Sequence, residues 1–404
     1  MMKHIIILGD GMADEPIGVL DGQTPLQYAV TPGFDFLAKN GASGTLNTVP
    51  DGYAPGSEIA NLGILGYDVR KVYEGRGSLE AASMGVDIAD DEVAMRCNII
   101  CVENGKIKNH SAGHISTEEA SRMIDTLQKE LGSDTVSFHC GVSYRHLLKI
   151  KGGKKDLKCT PPHDVPGADV ESVLPEALTE EAVPTCELLI GLMKRSYDIL
   201  MNHPVNRRRV EAGKDPANMI WPWSLGYRPS MSALKELYGI NKGAVISAVD
   251  LIKGIGRYAG LDVIEVEGAT GLYDTNYEGK AKAAINALKG DYDFVFLHVE
   301  ASDEAGHEGN VDLKVKTIEY LDKRIVRPVI DAVAEMDSPV TIALLPDHPT
   351  PCRLKTHTSD SVPFVIWRPG MTPDKVEFFD EQSAKEGAYG NRNVLEFIPL
   401  LLNR

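Results

Sequence analysis

The stretch Phe294-Val295-Phe296-Leu297-His298-Val299, followed by Glu300-Ala301-Ser302-Asp303-Glu304-Ala305-Gly306-His307, decides the fold. An almost unbroken apolar run of this length reads as a strand buried on both faces, because a strand with one wet face would alternate. The text then turns at once to two metal-ligand types, Asp303 and His307, four residues apart. His298, on the strand itself, reads as a packing residue.

The same grammar recurs on either side. Runs at 4–8, 244–247, 262–266, 340–345 and 363–367 are short and rich in Ile, Val, Leu or Phe. Between them lie helical patterns at 26–39, 57–65, 231–237, 251–259, 277–288 and 313–336. Strand alternating with helix predicts βαβ units and an α/β fold, a mostly parallel sheet sandwiched by helices.

The middle of the chain breaks that pattern. Strand-like text at 93–102 runs through Asn104-Gly105, a favoured hairpin turn, into 106–110. A helix is predicted over Thr117–Leu131 with Thr117 as its cap, then strands at 135–140 and 144–150. This predicts a smaller α+β domain, residues 93–182, inserted into a discontinuous domain formed by 1–92 and 183–404. The inserted part is expected to clamp the substrate by closing over the site.

Composition excludes several classes of function. The 404 residues are 43% hydrophobic and 25% charged, enough for a sizeable core and against wholesale disorder. Lys plus Arg is 42 and Asp plus Glu 58, a net charge of −16, which excludes a nucleic-acid binder held by bulk basic charge. No run approaches the roughly 20 apolar residues of a membrane span. The run at 5–8 is too short for a signal peptide, and no small-residue cleavage site follows it. Six scattered cysteines (97, 101, 140, 159, 186 and 352) without zinc-site spacing read as buried, reduced thiols of a cytoplasmic protein.

The chemistry lies just after the predicted strands. Asp10 follows the first, Asp303 and His307 follow 294–299, Asp347 and His348 follow 340–345, and His357 lies nine residues on. In a parallel sheet the carboxyl ends of the strands share one edge, where ligands bind. Three imidazoles and three carboxylates suffice for two divalent cations, and mixed N/O donors suit zinc or manganese better than calcium. Each residue alone would read more simply as a helix cap or a hydrogen-bonded side chain. Their joint recurrence at separate strand ends favours a two-metal site. In Pro55-Gly56-Ser57-Glu58-Ile59-Ala60-Asn61, Ser57 opens a helical pattern, where free N–H groups favour a phosphoryl group. Beside two metals, Ser57 becomes a candidate nucleophile.

Gly9-Asp10-Gly11-Met12, Pro55–Asn61, Gly75-Arg76-Gly77, Asp303-x-x-x-His307, Asp347-His348 and His357 together resemble the cofactor-independent phosphoglycerate mutases of archaeal type, within the alkaline phosphatase superfamily. The resemblance extends over nearly the whole chain, including Tyr144-Arg145-His146 and Ile220-Trp221-Pro222-Trp223 near Arg228. It implies an alkaline-phosphatase-like fold, with one metal on Asp303, His307 and His357 and a second on Asp10, Asp347 and His348. It places Ser57 beside the second metal as the phosphorylated nucleophile. Manganese is the usual metal of these enzymes, with zinc or magnesium as alternatives. The implied reaction interconverts 3-phosphoglycerate and 2-phosphoglycerate through phosphoserine, with water kept out at that stage.

An anionic substrate needs local cations. Residues 93–182 carry 11 Lys plus Arg against 13 Asp plus Glu, so most of the acidity lies elsewhere. Candidate grips are Arg145, His146 and His163 in the insert, with Arg76, Arg209 and Arg228 outside it. A homoserine kinase on the same scaffold and a metal-dependent phosphatase are the competing readings. No Gly-x-x-x-x-Gly-Lys-Ser/Thr loop occurs, and Gly254-Ile255-Gly256 is too weak a signal for a nucleotide site. A purely structural metal site is disfavoured, because such sites are closed and Cys-rich.

Overall fold

The computed structural model describes residues 2–404. In chain order the strands are β1 (Lys3–Gly9), β2 (Ala42–Asn47), β3 (Glu92–Glu103), β4 (Lys106–Asn109), β5 (Val136–Val142), β6 (Arg145–Lys151), β7 (Leu157–Lys158) and β8 (Glu176–Ala177). They continue as β9 (Met219–Gly226), β10 (Gly243–Ile246), β11 (Asp262–Val263), β12 (Phe294–Val299), β13 (Val340–Leu345), β14 (Val362–Trp367) and β15 (Gly390–Asn393). The chain forms two compact units, Met1–Tyr73 with Met231–Arg404, and Glu74–Ser230.

The first unit is built on an eight-stranded sheet of order β11-β10-β12-β1-β13-β14-β2-β15. Its three central strands β12, β1 and β13 are parallel, with Leu8 opposite both His298 and Leu345. Ile5, Ile7, Val295, Leu297, Ile342 and Leu344 share one buried face with Phe34, Leu37, Ala284, Ile318 and Val329 from the helices. The intervening residues of each strand point to the opposite face. Both faces of these strands are therefore covered, which is why their sequences do not alternate.

One strand departs from the parallel pattern. β14 runs antiparallel to both of its neighbours, β13 and β2. A parallel return needs a crossover, usually a helix. The link from β13 to β14 holds no helix and carries Asp347, His348 and His357 instead.

Two predicted helices are interrupted by proline. The pattern at 26–39 divides into Pro25–Tyr28 and Pro32–Asn40, because a residue before proline is driven out of the helical region. The pattern at 313–336 becomes Val311–Leu321 and Arg327–Ala334, joined by a π-helical turn, Asp322–Val326. Pro328 has no N–H to return to residue 324, and the turn before it widens. The strand expected at 262–266 shrinks to two residues.

The second unit is larger than the insert expected at 93–182. Its helix Arg76–Ser83 packs on β3 and β9, and its helix Val183–Met201 packs on β9. β9 in turn pairs antiparallel with β3 along residues 94–100. The text after 182 thus belongs to this unit's own core, not to a return of the first. β3 also pairs with β6, and β6 with β5. The β3–β4 turn places Asn104 and Gly105 at φ 52° and 75°, the left-handed pair that a tight hairpin requires. Ser116, not Thr117, caps the following helix, accepting from the Glu119 N–H at 3.2 Å.

All six cysteines are free thiols: Cys97, Cys101, Cys186 and Cys352 are buried, Cys159 is half-buried and Cys140 is exposed. Among the described residues no helix is long and apolar enough to cross a membrane.

Candidate metal centre

The adjacency of β12, β1 and β13 dictates the site. β1 and β13 end in polar loops, while β12 passes through Glu300 straight into the helix Ala301–Glu308, which carries Asp303 and His307. Asp10 leaves the middle strand, with Asp303 from the β12 side and Asp347 and His348 from the β13 side. Gly11 makes the close approach feasible. It has φ +62°, its N–H donates to Asp347 Oδ1 at 3.1 Å, and a Cβ would lie 2.6 Å from both Asp303 Oδ1 and Thr350 Oγ1.

The ligand types gather into two overlapping groups. Asp10, Asp347 and His348 form one, and Asp303, His348 and His357 the other. In the first, His348 Nε2 lies 3.6 Å from Asp10 Oδ1 and 3.5 Å from Asp347 Oδ2. His307 stands against the second group, with its Nε2 3.2 Å from Asp303 Oδ2 and 3.0 Å from His357 Nε2. His357 Nε2 is 3.3 Å from Asp303 Oδ1. The His348 and His357 rings stack at 3.9 Å, which brings the two groups into contact.

The hydrogen bonds fix which nitrogen of each ring faces inward. His307 Nδ1–H donates to Lys355 O at 3.0 Å and His357 Nδ1–H to Pro55 O at 3.3 Å. Thr350 Oγ1 donates to Asp303 Oδ1, leaving its oxygen to accept from His348 Nδ1 at 3.3 Å. In each of these imidazoles Nδ1 is taken up by an outer partner and Nε2 is turned to the centre, where it can give its lone pair to a cation or, without one, carry a proton; this is the second-sphere arrangement of metal-bound histidine. Two such lone pairs facing each other at 3.0 Å repel unless a cation or proton lies between them. Asp10 Oδ1 is buried without a hydrogen-bond partner, an expensive state for a carboxylate oxygen unless a cation answers it. Donor separations of 3.0–3.6 Å fit the edges of a coordination shell with bonds of about 2.0–2.2 Å. The donor set fits divalent cations.

The electrostatics of the protein alone agree. Burial, then the neighbouring Asp347, pushes Asp10 well above the usual carboxylate range. Burial also drives Glu300 up to about 8, helped by Glu304 and Asp303. Burial opposes ionisation of Asp303 as well, but bonds from His307 and His357 outweigh it and hold Asp303 well below the ordinary value. The bond to Asp303 lifts His307 to about 9. Protons on these rings do the work of a cation where carboxylates crowd.

Ser57 is the first residue of the helix Ser57–Ile64. Its Oγ lies 3.2 Å from His348 Nε2, beside the Asp10–Asp347–His348 group. Asn61, one turn on, donates to Ser57 O at 2.8 Å and to Asp347 Oδ2 at 2.9 Å, tying the helix to the ligand loop.

His298 is not simply a packing residue. Its Nε2 lies 2.9 Å from Asp10 Oδ2 and its Nδ1 3.2 Å from Ser247 Oγ. An apolar run hides such a residue, since its polar neighbours come from other strands.

The anion candidates of the second unit divide sharply. Arg209 is buried and bonded through each of its three nitrogens, donating to Glu119 Oε2 at 2.6 Å, to Asp215 O at 2.9 Å and to Ala112 O. Buried at 2% exposure and tied to three segments of its own unit, it is placed as a scaffold residue. His146 is also buried, and its Nδ1 accepts from the Gly141 N–H at 3.1 Å. Burial pushes it down to about 3, so it is not a cation. Arg228 is exposed just beyond β9. Arg76, Arg145 and His163 keep accessible surface and lie near a residue the sequence concealed, Arg96 in the middle of β3. Arg96 stacks 4.5 Å over Trp223 and pairs with Glu80 at 3.0 Å, and Arg76 reaches the same carboxylate at 4.0 Å. His163 packs edge-on to Trp223 and to His110.

Comparison with known proteins gives the family. The family model for 2,3-bisphosphoglycerate-independent phosphoglycerate mutase matches residues 38–206. A protein of that name from Methanosarcina barkeri is 52% identical over 403 residues, 99% of each chain. The chain belongs to the 2,3-bisphosphoglycerate-independent phosphoglycerate mutases. Among solved structures, a protein from Pyrococcus horikoshii matches with a TM-score of 0.84 and 33% identity, over 100% of this chain and 97% of its own. The cofactor-independent phosphoglycerate mutase of Thermoplasma acidophilum matches with a TM-score of 0.71 and 26% identity, over 100% and 99%. The mutase expectation thus holds, and these relatives lend no support to the kinase or phosphatase alternatives. The enzyme is an isomerase that acts on phosphoglycerate.

Proposed function

We propose that this mutase works through two divalent cations, manganese in the cell, and a phosphorylated Ser57. The observation that carries the reading is the set of inward-facing Nε2 atoms and the partnerless Asp10 Oδ1 beside a helix-opening serine. Asp303, His307 and His357 would hold one cation, and Asp10, Asp347 and His348 the other. His348 is close enough to both groups to be shared. Bound there, the cations supply Lewis-acid charge that eases ionisation of the Ser57 hydroxyl and offsets charge on the phosphoryl oxygens.

The remaining work falls to the chain. Ser57 Oγ forms a bond to phosphorus as the glycerate oxygen leaves, and the proton lost from the serine is made good on that oxygen. The second step runs the same exchange in reverse at the other hydroxyl, so no net proton or water is consumed. The free N–H groups at the start of the Ser57 helix favour the phosphoryl group in both steps.

Anchoring of the substrate's carboxylate and phosphate falls to Arg76, Arg96 and Arg145, with His163 and His110 beside them, all in the Glu74–Ser230 unit. Guanidinium groups suit this task because they bind such anions bidentately. Free thiols on every cysteine fit a reducing compartment, the cytoplasm.

One assay set tests the reading. The manganese-loaded enzyme should interconvert the two phosphoglycerates without added bisphosphoglycerate, and should form no ADP from homoserine and ATP. Ser57→Ala should bind manganese yet show no turnover and no phosphate-sized mass increase on incubation with substrate. Full turnover by that variant would refute the nucleophile.

A further inference from the structure

We infer that His298 is a positioning residue that holds Asp10 with one carboxylate oxygen turned to a cation, through a hydrogen-bond relay spanning three adjacent strands. The inference rests on the cation reading above. β10, β12 and β1 are neighbours in the sheet. Ser247 follows β10, His298 sits on β12 and Asp10 follows β1, so the relay crosses the sheet at its carboxyl edge.

The direction of each bond follows from donor and acceptor chemistry. The Val249 N–H donates to Ser247 Oγ at 3.0 Å. The serine hydroxyl proton is then free to point at His298 Nδ1, 3.2 Å away. A carboxylate that binds a cation only accepts hydrogen bonds. Asp10 Oδ2 therefore takes the proton on His298 Nε2, at 2.9 Å. The relay fixes the tautomer of His298, and His298 fixes the carboxylate. What remains is Asp10 Oδ1, buried and without a hydrogen-bond partner, facing His348.

Two further bonds hold the relay in place. The buried Lys280 Nζ donates to His298 O at 3.2 Å, and Ser302 Oγ donates to Asp10 O. His298 and Asp10 are both essentially solvent-free, at 0% and 1% side-chain exposure, so water cannot substitute for the imidazole.

Calorimetric titration of the metal-stripped full chain with Mn²⁺ tests this. His298→Leu should weaken one binding step by about 10–100-fold, the usual cost of losing such an outer-sphere partner. His298→Gln, whose side-chain N–H can occupy the place of Nε2–H, should restore most of that affinity. Ser247→Ala, which removes only a hydroxyl, should weaken the same step by about tenfold or less. It also keeps the test decisive if His298→Leu fails to fold. The step assigned to Asp303, His307 and His357 should not move in any of the three. A wild-type titration for His298→Leu, or for Ser247→Ala where His298→Leu does not fold, would overturn the relay. Equal weakening by Leu and Gln would also overturn it, because loss of shape rather than of the N–H would then be the cause. A wild type that takes up no Mn²⁺ would instead refute the cation reading, and the relay with it.

Discussion

Lys314 and Asp14 form an ion pair of 2.8 Å with both side chains fully buried. Lys314 projects from the helix Val311–Leu321 and spends its other two protons on Ala13 O at 3.1 Å and Thr350 O at 2.8 Å. Asp14 Oδ2 also accepts from the Cys352 N–H at 3.0 Å. One ammonium therefore clasps the loop after β1 to the loop after β13. These are the two loops that present Asp10 and Asp347.

Breaking that clasp should be costly. Lys314→Met leaves the Asp14 carboxylate buried without its counter-charge and takes one donor each from Ala13 O and Thr350 O, a loss of about 3–5 kcal/mol. The double variant Lys314→Met/Asp14→Asn should recover part of this, because the uncompensated charge is gone. Denaturant unfolding of the three proteins checks both statements. A double variant no more stable than Lys314→Met would show that the charge is not the main term.

Arg96 and Arg209 should separate cleanly in kinetics. Arg96→Lys removes the planar group that stacks on Trp223, and a lysine cannot bind an anion bidentately. KM for phosphoglycerate should rise by about tenfold or more with kcat little changed, the pattern of lost uniform binding. Arg209→Ala should leave the KM of the folded enzyme alone and lower its stability by about 1–3 kcal/mol, because buried carbonyls lose their donor. Steady-state kinetics beside thermal melts would show an exchanged pattern if Arg209 were the grip.

The contrast also marks what a linear text can carry. Strand ends were legible because strands buried on both faces are near-continuous apolar runs, and Asp10, Asp303, Asp347 and His348 follow them directly. Residues whose partners are remote were not. His298 stands 288 positions from Asp10 and 51 from Ser247, so its run of apolar neighbours advertises packing alone. β2 is Ala-Ser-Gly-Thr-Leu-Asn and reads as loop, and β9 carries Pro222 in mid-strand. That proline is tolerated because β9 lies at the edge of its sheet, off the main strand path. Without β9 the boundaries of the second unit shift, since β9 is the main surface on which helix Val183–Met201 packs.

Asp322 predicts a pH dependence of stability. It is buried in the π-helical turn, where its Oδ1 accepts from the Phe34 N–H at 2.7 Å. Burial outweighs that bond and pushes its carboxyl up to about 6. The folded state therefore holds the proton more tightly than the unfolded chain does. The carboxyl is neutral and harmless below about pH 4, and its cost grows as the pH climbs from 4 to 6 and is complete above 6. Asp322→Asn keeps the accepting oxygen and abolishes the titration. It should be more stable than the wild type at pH 8, by on the order of 2 kcal/mol, with the advantage gone near pH 4. Melting curves at both pH values decide it, and a constant difference would exclude Asp322 as the source.

Removal of the cations should loosen the molecule as well as silence it. Without them, Asp10 is left to the repulsion of Asp347 and, behind it, Asp303, and Asp10 Oδ1 has no answering charge. A ligand present at about 100 times its Kd adds about 2.7 kcal/mol to folding stability by mass action. On the two-cation reading proposed above, the gain should be correspondingly larger. Chelated enzyme should therefore melt at a clearly lower temperature than enzyme in excess Mn²⁺, and the midpoint should climb with the logarithm of Mn²⁺ concentration. Asp10→Asn/Asp347→Asn should behave oppositely in the chelated form. With two crowded carboxylates neutralised, it should melt higher than the chelated wild type, and Mn²⁺ should raise its midpoint less. If Mn²⁺ moves the wild-type midpoint no further than it moves this variant's, the Asp10–Asp347–His348 group does not hold a cation.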